Sequence, residues 1–152
     1  MIKWAPCIAM TLALAGVCSA DSAEDRSKLW GNWKSAEGSS AGETLVLGEQ
    51  NGKLHYQHTQ SNQDRAEFDC NTMGRDCKVK ADGKDATVSF YFNGPRLVQW
   101  EKVGDKVVKR RFSIVNGDTL EVETTSVVPN GKPETTRLKR ASDSEAVAAN
   151  GR

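Results

Sequence analysis

Apolar residues recur at every second position in short runs, and no apolar repeat at the helical period reaches a useful length. The first run, Leu29-Trp30-Gly31-Asn32-Trp33-Lys34-Ser35, puts Leu29, Gly31 and Trp33 on one face and Trp30, Asn32 and Lys34 on the other. A Gly/Ser loop over Ala36 to Gly42 follows, then a short strand at Leu45-Val46-Leu47 and a turn at Asn51-Gly52. Leu54, Tyr56 and His58 share a face, with His55 and Gln57 opposite, and Ala66, Phe68 and Cys70 alternate in the same way. Beyond Asp82-Gly83, Val88, Phe90 and Phe92 line one face. Turns at Asn93-Gly94-Pro95, Gly104-Asp105, Asn116-Gly117-Asp118 and Pro129 to Pro133 separate the remaining strands. The pattern predicts an all-β antiparallel meander of about eight to ten strands, a sandwich or barrel, led by a short helical turn.

Keeping one face apolar predicts the hairpin registers. A three-residue loop at Asn116-Gly117-Asp118 sets Phe112 against Val122, Arg110 against Thr124, and Arg111 against Glu123 on the outer face. A five-residue loop from Pro129 to Pro133 sets Ser126 against Thr136, Thr124 against Leu138 and Val122 against Arg140. At Gly104 a two-residue turn would bring Gln99 and Glu101 to the face of Val108 and Phe112. Burying Glu101 without a partner costs several kcal/mol. A three-residue loop is therefore expected there, with Trp100 opposite Arg110 and Glu101 opposite Lys109 outside.

The first 20 residues change the setting. Lys3, the mostly apolar run Ile8 to Val17, and Cys18-Ser19-Ala20 read as a secretory signal cut after Ala20. The apolar run is about ten residues, short of the roughly 20 that a membrane-spanning helix needs, and Val17 before Cys18 disfavours lipidation. The expected layout is a signal peptide (1–20), a lead-in (21–28), a β-barrel domain (29–141) and a flexible or weakly helical tail (142–152). The expected location is periplasmic or extracellular, with no integral membrane segment in the mature chain. Cleavage removes Lys3 and leaves 20 basic against 20 acidic residues, which argues against a dedicated nucleic-acid partner. Of the four cysteines, Cys70 and Cys77 remain, and in an exported chain they are expected to form a disulfide.

Gly31-Asn32-Trp33 opening an antiparallel chain, preceded by a helical turn and answered by a basic residue at the end of the last strand, resembles the lipocalin-like (calycin) β-barrels. In that superfamily the first-strand Trp plugs one end of the barrel and a late basic residue stacks on it. The resemblance implies a closed or nearly closed barrel with Trp33 as plug and Arg140 as its stacking partner, and Gly31 is counted with them as structural. The stretch from Asp82-Gly83-Lys84 to Lys139 also looks like exported bacterial Gly-x-Trp proteins with no assigned activity. The fatty-acid-binding branch carries a late Arg-x-Tyr pair for a ligand carboxylate. Here Arg137 is followed by Leu138 and Lys139.

Candidate chemistry is sparse. Arg110 sits among inward Val108, Phe112 and Ile114, where an unpaired guanidinium is costly. One reading makes it an anchor for a ligand's anionic end, assisted by Tyr56 and His58. The other has it stacked on Trp100 or reaching a barrel mouth. His55 and His58 point to opposite faces and cannot share a metal ion. Glu121 and Glu123, about 7 Å apart on one strand face, have Ser113 and Arg111 as neighbours, as a solvated outer face does. No catalytic residues, metal or cofactor are expected. Two functions remain. One is a carrier or sensor for an apolar or amphipathic small molecule, with Arg110, Tyr56, His58 and Trp100 lining its site. The other is a cell-envelope interaction module, without a cavity, that contacts a protein partner through the Cys70–Cys77 loop or a barrel edge.

Overall fold

At Asn51-Gly52 both residues take positive φ (53° and 73°), the conformation of a tight two-residue hairpin turn. The same pairing of positive φ recurs at Ser61-Asn62 and Asp82-Gly83, and ten antiparallel strands make up the computed structural model, which describes residues 21–35 and 42–141. The strands are β1 (Gly31–Ser35), β2 (Glu43–Gln50), β3 (Lys53–Gln60), β4 (Gln63–Cys70) and β5 (Cys77–Ala81), then β6 (Lys84–Asn93), β7 (Arg96–Val103), β8 (Lys106–Val115), β9 (Thr119–Val128) and β10 (Glu134–Arg140). A short helix, α1 (Asp21–Ser27), precedes them. The expected signal segment with Cys18, most of the Gly/Ser loop (36–41) and the tail (142–152) lie outside the described residues.

Each strand pairs with its sequence neighbours, and β10 returns to pair with β1, so the sheet closes into a barrel. The closing ladder sets Trp33 against Arg140 and Ser35 against Leu138. Trp33 is fully buried and its Nε1–H donates to the Leu29 carbonyl at 3.0 Å. The Arg140 guanidinium lies 4.2 Å from the Trp33 ring centre and donates to the carbonyls of Trp30 (2.9 Å) and Lys28 (2.8 Å). Gly31 makes room for it: a Cβ there would stand 2.4 Å from Arg140 Nη1, and the backbone φ of +145° also favours glycine. Trp33, Arg140 and Gly31 therefore pack together where the sheet closes.

Trp30 departs from strand parity. It precedes β1 and packs edge-on to Phe92, 6.1 Å between ring centres at 75°. Arg26 of α1 sits 4.6 Å over the same Phe92 ring and donates to the Gly94 carbonyl at 3.1 Å. Helix, plug and Phe92 together close one end of the barrel over an apolar cluster that includes Leu47, Leu54, Phe90, Leu97, Phe112 and Leu138.

The β8–β9 register is the expected one, with Phe112 opposite Val122 and Arg111 opposite Glu123. Two other expected registers are corrected. β10 pairs Thr136 with Val122 and Leu138 with Leu120, so the connection is longer than five residues. The cause is local: the Ser126 carbonyl accepts from the Gly131 N–H at 2.9 Å and its hydroxyl donates to the Pro129 carbonyl, folding the chain back before β10 begins. At Gly104 the two-residue turn prevails, with Gln99 opposite Arg110, Trp100 opposite Lys109 and Glu101 opposite Val108. Gln99 and Glu101 therefore face inward.

The β4–β5 seam is thin, its ladder register being the single pair Ala66 and Ala81. The expected Cys70–Cys77 disulfide spans it, with Cα atoms 6.0 Å apart. The loop it closes lies along β6, where Met73 bridges Tyr91 and the Gly74 N–H donates to the Phe90 carbonyl at 2.8 Å.

Candidate functional site

A group of polar side chains among the described residues converges inside the barrel, on the side away from the Trp33 plug. They are Glu43 from β2, Tyr56 and His58 from β3, Gln99 and Glu101 from β7, and Arg110 from β8. The period-2 pleat brings them inward: Glu43 shares its face with Leu45 and Leu47, His58 with Leu54, and Arg110 with Phe112.

Arg110 is held by two neighbours. Its Nη1 donates to Glu101 Oε2 at 3.1 Å and to Gln99 Oε1 at 3.5 Å, and its Nη2 donates to Glu101 Oε1 at 3.5 Å. The pair still touches water, the Arg110 side chain being 26% and Glu101 17% exposed. Beside it, His58 Nε2 lies 3.1 Å from Glu43 Oε1, with both side chains partly exposed. Gln99 is fully buried, and its Nε2 finds no partner among the described residues. Swapping the amide ends would set two donors against each other, so the carbonyl end belongs on Arg110.

Tyr56 joins the polar cluster to the apolar floor. Its ring stacks on Phe68 at 5.0 Å and tilts against Phe90 at 5.8 Å. Burial pushes its phenol up to about 12, and the Arg110 charge opposes that rise only in part. For Arg110, burial by itself would lower the pKa, but Tyr56, Glu101 and Glu43 together carry it above its ordinary value.

Of the four expected ligand-lining residues, Arg110, Tyr56 and His58 come together. Trp100 does not. It lies on the outer face, where Lys109 Nζ sits 5.2 Å from its ring centre, so the Arg110–Trp100 stacking, one of the alternatives for Arg110, gives way to the Arg110–Glu101 pair. The sequence reading missed Glu43, Gln99 and Glu101. The signal for Glu101 was present: Gly-Asp favours a two-residue turn, and that turn hands the inward Arg110 its partner.

On the outside, His55 pairs with Asp69 at 2.9 Å, confirming that His55 and His58 face opposite ways. Glu123 pairs with Arg111, and Glu121 accepts two hydrogen bonds from Arg137 at 3.0 Å. Two surface grooves, of about 750 and 680 Å³, are lined by charged side chains such as Lys78, Lys80 and Lys102 in one and Arg111 and Glu121 in the other. Neither includes Arg110. Among the described residues, no group of three His, Cys, Asp or Glu could hold a metal ion, and no helix is long and apolar enough to cross a membrane.

No family model matches the chain, and no curated protein sequence does. Solved structures do match. Secretory abundant heat soluble protein 4 from Ramazzottius varieornatus is 16% identical with a TM-score of 0.63, over 76% of this chain and 96% of that one. A Schistosoma mansoni fatty acid binding protein in complex with arachidonic acid is 14% identical with a TM-score of 0.64, over 78% and 99%. Echinococcus granulosus fatty-acid-binding protein 1 is 10% identical with a TM-score of 0.62, over 76% and 98%. The fold is lipocalin-like. At these identities the likeness establishes the ten-stranded barrel and nothing finer.

Proposed function

We propose that this chain is an exported carrier or sensor that holds an apolar or amphipathic small molecule inside the barrel and performs no catalysis. The apolar part would rest on the floor formed by Leu54, Phe90 and Phe112, and the polar end would meet Arg110, Glu101 and His58. The observation that carries this reading is the placement of a partly water-accessible polar cluster above a buried apolar floor within one closed sheet. Such a division suits an amphiphile that enters where the polar cluster meets water. The likeness to proteins described as fatty-acid-binding lends support to the class of ligand.

An uncharged fluorescent probe such as Nile red tests this directly. The proposal expects saturable binding with Kd on the order of micromolar. Absence of binding by the folded, disulfide-bonded protein would end it. Export is part of the proposal and is checked by mass spectrometry of the exported protein, which should begin at Asp21. The Cys70–Cys77 bridge suits an oxidising compartment.

A second reading, an envelope interaction module, draws on Met73, which stands 69% exposed at the tip of the crosslinked loop. Recovering the same partners with the Cys70→Ser, Cys77→Ser variant as with the parent chain would count against it.

A further inference from the structure

We propose that the barrel takes amphiphiles whose polar end donates hydrogen bonds, such as an alcohol, a primary amide or an amine, and discriminates against free carboxylates. This rests on the interior-binding reading above.

The charges inside the barrel favour such a head group. Arg110 brings one positive charge, whereas Glu101 and Glu43 bring two negative ones, and Glu101 already receives hydrogen bonds from both terminal nitrogens of Arg110. A third carboxylate would meet a guanidinium already shared with Glu101 and a His58 ring already facing Glu43. Displacing Glu101 from the guanidinium does not help, because its cross-strand neighbours are Val88 and Val108. The freed carboxylate would lose its cationic partner while remaining mostly buried, and an unpaired charge in that position is costly.

Hydrogen-bonding capacity points the same way. Glu101 and Glu43 are acceptors only, and Gln99 turns its carbonyl toward Arg110. Beside these acceptors stands a donor without a partner among the described residues, the buried Gln99 Nε2, so a hydroxyl or primary amide, which both donates and accepts, completes the cluster better than a carboxylate, which only accepts. A hydroxyl can also accept from the remaining guanidinium N–H bonds. A carboxylate has nothing to donate.

Nile red bound to the disulfide-intact protein can be displaced by dodecanol, dodecylamine and dodecanoate at neutral pH. In the parent chain, dodecanol and dodecylamine should each displace the probe about tenfold more effectively than dodecanoate. Some of any dodecanol preference would arise from desolvating the carboxylate, so two variants decide the matter. Glu101→Gln should raise dodecanoate affinity about tenfold while changing dodecanol less than about threefold. Glu43→Gln should act in the same direction, and it decides the outcome if Glu101→Gln does not fold. The inference is overturned if dodecanoate binds the parent chain as well as the other two, or if no folded variant gains dodecanoate affinity. Failure of Nile red itself to bind would defeat the interior-binding reading, and the preference with it.

Discussion

Glu101 Oε2 accepts a hydrogen bond from Arg110 Nη1 at 3.1 Å across the β7–β8 hairpin, and the two-residue Gly104-Asp105 turn is what sets both side chains on the inner face. Each charge makes the other's burial tolerable. Removing one partner should cost more than removing both. We expect Glu101→Ala or Arg110→Ala to lower unfolding stability by about 2–3 kcal/mol, and the joint Arg110→Met, Glu101→Leu replacement to cost less than either. Urea unfolding of the three variants measures the coupling; simple additivity would contradict it.

The plug supplies a graded series. Trp33→Ala should cost about 3–5 kcal/mol, as a truncation in a packed core does. Arg140→Ala should cost less, about 0.5–2 kcal/mol for the lost cation–π contact, with a further loss from its two carbonyl bonds. Gly31→Ala must push Arg140 aside and distort a positive φ, so about 1–3 kcal/mol is expected. A Trp33→Ala cost below about 1 kcal/mol would mean that the indole does not close the barrel.

Tyr56 ties stability to alkaline pH. Its folded-state pKa is raised to about 12 from an ordinary 10.0, so its contribution is fully present below pH 10. Above that the unfolded chain releases the phenolic proton while the folded chain retains it, and stability falls as pH approaches the folded value. The loss from this one group is about 2–3 kcal/mol. Urea titrations at increasing alkaline pH should show a shallower decline for Tyr56→Phe; parallel declines would remove Tyr56 as the cause.

The disulfide matters most where the sheet is thinnest. Closing the Cys70–Cys77 loop should stabilise the fold by about 2.5 kcal/mol in the chain-entropy account. Because β4 and β5 share one register pair, reduction should speed amide hydrogen exchange in β5 while leaving β8 and β9 little changed. Uniform acceleration would mean that the bridge does not act on that seam in particular.

Much of this barrel was legible in the alternation of residues and the turn pairs. Phe112, Val122, Arg111 and Glu123 found their partners because a short loop and a one-sided apolar face leave a single register. Gly31, Trp33 and Arg140 were legible through resemblance. The Gly104 hairpin was misread because Glu101 was charged the cost of burial alone, although the inward Arg110 stood ready to pair with it. That misreading put Trp100 inside and Glu101 outside, the reverse of their places. Glu43 was overlooked because it starts β2 just after the Gly/Ser loop, ahead of the apolar Leu45-Val46-Leu47. The β9–β10 offset depends on a turn between Ser126 and Gly131, a tertiary detail that strand alternation does not encode.

The central claim is that ligand occupies the interior beside Arg110. Thr124 lies opposite Arg110 on the inner face, and Thr125 lies opposite Lys109 on the outer face. Thr124→Trp should abolish Nile red binding while the protein remains folded by circular dichroism, whereas Thr125→Trp should bind within about threefold of the parent chain. Undiminished binding by a folded Thr124→Trp variant would contradict the account.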